Sequence, residues 1–148
     1  MKICVISDSH GYTSNVEKIV MDKSYDKIFF LGDGIRDFDD IYDDRIVMVE
    51  GNCDIFSQSP LLTWQYINDK RIMLCHGHQY SVKSGIWGLL REATQGRADI
   101  VCYGHTHIQS IEKYEGIYFV NPGSLASGRA IEIIIDDKIT FNKIFVWW

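Results

Sequence analysis

Five short apolar runs in this chain each stop at a turn built from side chains that bind metal ions. Lys2 to Ile6 leads into Asp8-Ser9-His10, Lys27 to Leu31 into Gly32-Asp33, and Ile46 to Val49 into Gly51-Asn52-Cys53-Asp54. Arg71 to Cys75 leads into His76-Gly77-His78, and Ile100 to Tyr103 into Gly104-His105-Thr106-His107. All five histidines of the chain fall in three of these turns. Near-continuous apolar runs of this length read as strands covered on both faces. In open α/β sheets, residues far apart in sequence converge in the crevice beyond the carboxyl ends of the strands. The pattern therefore calls for a fold that brings five strand ends to one place.

The segments between the turns agree. A helix lies between the first two strands: its start, Ser14-Asn15-Val16-Glu17, matches a capping box, and Val16, Ile19 and Val20 form its apolar face. Ile35, Phe38, Ile41 and Tyr42 repeat at helical spacing, with Asp37, Asp39, Asp40, Asp43 and Asp44 on a solvated opposite face. Leu62 to Ile67, Asn68-Asp69-Lys70 and Arg71 to Cys75 read as a hairpin. A helix from Ser84 to Gln95 buries Ile86, Leu89, Leu90 and Ala93 and stops at Gly96. Only strands follow the last histidine turn: Ile108 to Lys113, Ile117 to Val120, Ala130 to Ile135 and Ile139 to Val146. Strand and helix alternate first and strands alone follow, which predicts an α/β architecture of two packed sheets flanked by helices. The length of 148 residues fits one domain, 1–148.

Taken singly, several of these turns are ordinary: Asp8 could cap a helix and Gly32-Asp33 is a common turn. Two His-x-His turns together with Asp8-Ser9-His10, all after strands, point instead to metal. The candidate ligands are Asp8, His10, Asp33, Asn52, His76, His105 and His107. Seven exceed the four of a closed tetrahedral site, which predicts two ions, with Asp33 as the candidate bridge because a carboxylate has two oxygens. A mixed oxygen and nitrogen shell without thiolate suits Mn first, with Fe, Zn, Ni or Co as alternatives, and suits Ca or Mg alone poorly.

A net charge of −5 with scattered basic residues argues against nucleic-acid binding through a basic surface. No stretch approaches a membrane span or a signal peptide, so a cytoplasmic protein is expected. Cys4, Cys53, Cys75 and Cys102 show no Cys-x-x-Cys spacing, and three of them lie in predicted strands, which fits reduced thiols. The apolar chain end, Ile144 to Trp148, would invite pairing with a second copy if it formed an exposed edge, so a homo-oligomer is a further expectation.

In order, the five turns resemble the motifs of the calcineurin-like metallophosphoesterases, and of their small YfcE-like bacterial and archaeal branch above all. Asn121-Pro122-Gly123-Ser124 is similar to a structural turn of that branch. The resemblance implies a four-layer α/β/β/α sandwich with two central mixed sheets. It implies one metal held by Asp8, His10, Asp33 and His107, and a second held by Asp33, Asn52, His76 and His105. Asp33 and Asn52 would then serve catalysis, with Asn52 near a small phosphate-ester substrate; His78 matches no ligand of that pattern and is read as a pocket neighbour that contacts substrate. Many members carry His where this chain has Cys53, at the position that assists the leaving group.

The activity implied is hydrolysis of a phosphodiester by a hydroxide bridging two divalent ions. Without the third-motif His, stabilisation falls on the metals, which predicts a preference for good leaving groups. The competing reading is a non-catalytic scaffold like the retromer subunit that resembles this family; it would be favoured by lost ligands, and all seven are present.

Overall fold

The computed structural model describes residues 1–146, so Trp147 and Trp148 of the apolar chain end lie outside the described residues. The elements run β1 (Lys2–Ile6), α1 (Thr13–Met21), β2 (Lys27–Phe30), β3 (Ile46–Met48), β4 (Leu62–Ile67) and β5 (Lys70–Cys75). They continue with α2 (Trp87–Gln95), β6 (Ile100–Cys102), β7 (Ser110–Tyr114), β8 (Ile117–Asn121), β9 (Arg129–Ile135) and β10 (Ile139–Phe145).

One sheet has the order β10-β9-β1-β2-β3 and the other β4-β5-β6-β8-β7. In the first, β1, β2 and β3 run parallel while β9 runs antiparallel to both of its neighbours, β1 and β10. In the second, β5, β6 and β8 run parallel, with antiparallel β4 and β7 at the edges. Both sheets are mixed, as expected.

The alternation of side chains along the strands sets the layers. Ile3, Val5, Phe29 and Leu31 meet Ile72, Leu74, Ile100 and Cys102 in a core between the sheets. The opposite residues of the first sheet, Cys4, Ile6, Ile28 and Phe30, receive Val16 and Ile19 of α1. Those of the second, Met73, Cys75 and Val101, receive Leu89, Leu90 and Ala93 of α2. The result is the four-layer α/β/β/α sandwich, with buried aliphatic side chains each stabilising it by about 1.5–3 kcal/mol. Cys4, Cys75 and Cys102 are buried free thiols in β1, β5 and β6.

Several local expectations are corrected. The helix after β1 starts at Thr13 with Tyr12 at its N-cap and no side-chain cap, so the predicted capping box does not form. Asn15 instead donates its amide to the Leu125 carbonyl at 2.9 Å, a tertiary contact that replaces the local one. The Ile35-to-Tyr42 repeat yields only a 3₁₀ turn, Ile35–Phe38, and Tyr42 is 94% exposed. Two of its five aspartates are not simply solvated, since Asp37 accepts from Ser9 Oγ and the Gly11 N–H. The second is Asp43, paired with Arg45. Gly85, with φ +140°, delays α2 until Trp87. Gly96 closes α2 as expected, but for a packing reason: a Cβ there would stand 2.4 Å from the Trp64 ring.

Arg45 holds the far end of α1. Its guanidinium donates to the carbonyls of Val20, Asp22 and Tyr25 and to both oxygens of Asp43. It thus satisfies carbonyls that a helix end leaves orphaned and lies where the helix dipole favours a cation. Contact with Arg45 holds the Asp43 carboxyl well below the usual carboxylate range. Arg45→Met is expected to lower stability by about 2–3 kcal/mol in urea titrations. A loss below about 0.5 kcal/mol would show that water replaces these bonds without cost.

The β4–β5 turn is the predicted hairpin, with Asn68 and Asp69 both left-handed as a two-residue turn of that type requires. β10 is an edge strand with Phe145 45% exposed. Among the described residues, no helix is long and apolar enough to cross a membrane.

Candidate metal centre

The five ligand-bearing turns follow the carboxyl ends of β1, β2, β3, β5 and β6, all of them parallel strands. Pairing continues beyond the strands: the Asp8 N–H donates to the Gly32 carbonyl and the Gly104 N–H to the His76 carbonyl, both at 2.9 Å. The two sheets are joined at this edge by His76 Nδ1, 2.7 Å from the Leu31 carbonyl. With Nδ1 donating there, Nε2 faces into the crevice, where a metal ion would displace its proton.

Two triads assemble. In the outer one, His107 Nε2 lies 3.1 Å and His10 Nε2 3.4 Å from Asp8 Oδ1, and the two imidazole nitrogens are 3.4 Å apart. In the deeper one, His76 Nε2 lies 3.2 Å from Asp33 Oδ2 and 3.2 Å from His105 Nδ1. Asp33 Oδ2 is also 4.0 Å from His10 Nε2, and Asp8 Oδ1 is 3.9 Å from His76 Nε2, so the triads adjoin through their carboxylates. Asp8, Asp33 and His76 are buried, whereas His10 and His107 are exposed.

These spacings suit metal ions. Two ligand atoms, each about 2.1 Å from a common ion, stand ~3.0 Å apart at a right angle and ~3.4 Å apart at the tetrahedral angle. The shortest contacts within each triad fall in that interval. Each carboxylate also reserves one oxygen: Asp8 Oδ2 accepts from Ser7 Oγ at 2.6 Å and the His105 N–H at 3.2 Å, which leaves Oδ1 to the imidazoles. Asp33 Oδ1 accepts the Cys53 N–H at 2.8 Å, which leaves Oδ2. The donor set contains oxygen and nitrogen and no thiolate within the triads.

Burial works against the charge on Asp33, but hydrogen bonds from His76 and the Cys53 N–H hold its carboxyl well below the usual carboxylate range. Burial also disfavours the His76 imidazolium, yet contact with Asp33 and the charge of Asp8 raise its pKa above the ordinary histidine value. His105 and His78 are pushed down, by burial first and by His76 second.

The backbone is bent to make these contacts. Asp8, His10, Asp33, His105 and His107 all have positive φ, five of eleven such non-glycine residues described. Left-handed backbone costs a non-glycine residue roughly 1–2 kcal/mol. The neighbouring glycines let the turns approach: a Cβ at Gly104 would lie 2.1 Å from Ser7 Oγ, and one at Gly51 2.1 Å from Asp33 Oδ1.

The Asn121-Pro122-Gly123-Ser124 turn supports this bend. Asn121 donates to the Gly104 carbonyl and Thr106 Oγ1, and Ser124 Oγ donates to the Asp8 carbonyl.

Six of the seven sequence-predicted ligands thus converge. Asn52 sits exposed on the turn beside them, its amide nitrogen 3.5 Å from Cys53 Sγ. Cys53 is exposed, and His78 stands beside the deeper triad, its ring centre 5.5 Å from that of His76. His78 Nδ1 is buried without a hydrogen-bond partner, the lone such side-chain atom among the described residues.

A residue that sequence reasoning left unassigned is Asp54. Its Oδ2 accepts the N–H groups of Asp33 and Gly51, both at 2.7 Å, and its Oδ1 those of Gly34 and Ile35 at 2.8 and 3.0 Å. The only sequence signal was its place after Gly51-Asn52-Cys53.

The arrangement of motifs is shared with known proteins. The sequence pattern of the calcineurin-like phosphoesterase superfamily domain matches residues 1–134. The chain belongs to that superfamily. It is 27% identical to a phosphodiesterase of Methanocaldococcus jannaschii over 97% of this chain and 98% of the relative. The crystal structure of a predicted phosphoesterase from Streptococcus pneumoniae superposes with a TM-score of 0.85 at 27% identity, over 97% of this chain and 88% of the other. Vps29 from Entamoeba histolytica, solved with Zn²⁺, shares the superfamily fold at 20% identity and a TM-score of 0.77, over 99% of both chains. The superfamily is metal-dependent, and the two triads are this chain's candidate metal-binding sites.

Proposed function

We propose that this chain, acting as one domain, is a dinuclear metal-dependent phosphodiesterase. The observation that carries the reading is Asp33 Oδ2, which faces an imidazole of each triad, at 3.2 Å from His76 and 4.0 Å from His10. Asp8, His10, Asp33 and His107 hold one divalent ion; Asp33, Asn52, His76 and His105 hold the other, with Mn as the ion of first choice in the cell. Asn52 would supply its amide oxygen to the second ion, its amide nitrogen lying 3.5 Å from Cys53 Sγ. The superfamily assignment and the phosphodiesterase relative support the class of reaction.

Two divalent ions bring a charge of about +4 against −2 from Asp8 and Asp33, which makes the site anion-seeking despite a net chain charge of −5. When bound, the ions lower the pKa of water towards ~7 and polarise phosphoryl oxygens. The chain's own residues supply position. Asp33 fixes the spacing of the two sites, the Leu31 carbonyl fixes the His76 tautomer, and Asn52 and His78 lie where a phosphate ester enters.

An aryl phosphodiester incubated with Mn²⁺ and purified protein is expected to be cleaved, with two ions bound per chain. A protein that carries two ions and hydrolyses no ester would favour the scaffold reading instead. Retention of both triads weighs against that reading, since a scaffold has no need to keep buried carboxylates beside imidazoles.

At the leaving-group position, Cys53→His is expected to raise turnover of esters with poor leaving groups by about 10²-fold, the lower end of the range for general acid catalysis. Unchanged rates would mean that position 53 does not face the scissile bond. Location in the cytoplasm and self-association along β10 remain part of this proposal, the latter testable by sedimentation.

A further inference from the structure

A cleft of about 850 Å³ is lined by His10 and Asp33 of the metal cluster and by residues 53–59 of the loop after β3. Its lining includes Ile55, 70% exposed, and Phe56, 93% exposed, two large apolar side chains left to solvent beside a polar site. Phe56 also adopts φ +65°, unfavourable for a bulky residue. The loop is held in this form by the Ile55 N–H on the Cys53 carbonyl and the Ser57 N–H on the Asp54 carbonyl. Because Asp54 also grips the Asp33 turn, the apolar wall has a fixed position relative to the metal cluster.

We propose that Ile55 and Phe56 form the wall of a leaving-group subsite that selects a neutral aromatic alcohol. This rests on the phosphodiesterase reading and names the substrate class of that site. Continuity places it: the cleft shares Asp33 and Cys53 with the catalytic position and leads outward from them. Charge restricts the occupant, since beyond the metal ligands Asp37, Asp39 and Asp54 line the cleft against a single Arg36, which disfavours an anionic group.

Chemistry restricts it further. The cleft offers no lysine or histidine besides His10, a proposed ligand, and its Cys53 thiol and serine hydroxyls are weak acids, so a leaving group that needs no strong acid is favoured. A phenolate, stabilised by resonance, meets that demand and stacks on the Phe56 ring. In the reaction the P–O bond to the aryl group breaks and a P–O bond to the water oxygen forms. The proton lost by that water reaches the phenolate through solvent.

The test compares diesters whose leaving groups are a phenol and a fluorinated alkyl alcohol of matching pKa, with the rest of the molecule identical. The aryl-to-alkyl ratio of kcat/KM is expected to be about tenfold or more in the wild type and to fall towards one in Phe56→Ala and in Ile55→Ala/Phe56→Ala. A second readout needs no turnover: calorimetric binding of a non-hydrolysable aryl phosphonate to the metal-loaded protein, expected to weaken about tenfold in Phe56→Ala. Phosphonates bearing a carboxylate on the ring are expected to bind more weakly than neutral ones. An unchanged ratio and unchanged phosphonate affinity in the double variant overturn the subsite. Absence of all hydrolysis with phosphonate binding still sensitive to Phe56 would sink the phosphodiesterase reading and leave the subsite standing.

Discussion

Asp33→Asn is expected to reduce bound metal from about two ions per chain to one or fewer and to lower kcat/KM on an aryl diester by on the order of 10³-fold or more. The substitution preserves volume. An amide oxygen at Oδ1 still accepts the Cys53 N–H, so the turn after β2 keeps its anchor. What disappears is the negative charge and the second oxygen, the one 3.2 Å from His76 and 4.0 Å from His10. An amide nitrogen in that place offers no lone pair to either ion.

Asp8 Oδ1 also stands between the triads, 3.1 Å from His107 and 3.9 Å from His76, so the assignment of the bridge to Asp33 rests on the order of motifs that the chain shares with its superfamily. Metal analysis and steady-state rates on the folded variant check the prediction. Two ions retained at unchanged activity would mean that Asp33 serves structure alone.

The site was legible in the sequence because its ligands are of a few chemically scarce types and follow strands. His76 and His105 are 29 residues apart, and nothing local brings them together. The apolar runs before them, β5 and β6, are adjacent parallel strands, and that pairing places both turns at one edge. The layers were legible for the same reason, since alternation along β1 and β2 divides Ile3 and Val5 from Cys4 and Ile6.

What failed was local helical pattern. Ser14 to Glu17 had the residues of a capping box, but the N-cap falls on Tyr12, two residues before Ser14, and Asn15 finds a tertiary acceptor in Leu125. Ile35 to Tyr42 had helical spacing, but Asp37 is drawn to Ser9 and Asp43 to Arg45, which stops the helix after one turn. The Leu125 and Ser9 contacts depend on partners 110 and 28 residues away, which a periodicity within ten residues cannot contain. The ligand turns evade pattern in another way: their left-handed φ values at Asp and His follow from bonds such as Asp8 N–H to Gly32 that exist only after the sheet has formed.

Asp54 is the strongest case of a role invisible to pattern, and Asp54→Asn is expected to have the second-largest effect. Its two oxygens each accept two backbone N–H groups, drawn from Asp33, Gly34, Ile35 and Gly51. One side chain thereby joins the turn after β2, which carries Asp33, to the turn after β3, which carries Asn52. Asparagine has the same shape but brings an NH₂ group against two N–H donors that it cannot accept, while the remaining oxygen loses its charge. Charge-assisted bonds contribute about 1.5–3 kcal/mol each, and a buried donor without an acceptor costs about 1–3 kcal/mol. These four share one anchor, so a combined loss of about 3–4 kcal/mol is expected in urea titrations. Metal affinity is expected to fall about 10- to 100-fold, the range typical of residues that orient ligands. The comparison with Asp33→Asn separates the two roles: Asp33→Asn strikes metal binding with stability largely kept, whereas Asp54→Asn weakens both. If Asp54→Asn kept wild-type stability and metal affinity, the two turns would be held by the sheet alone, and the bent backbone at Asp33 would need another source of support.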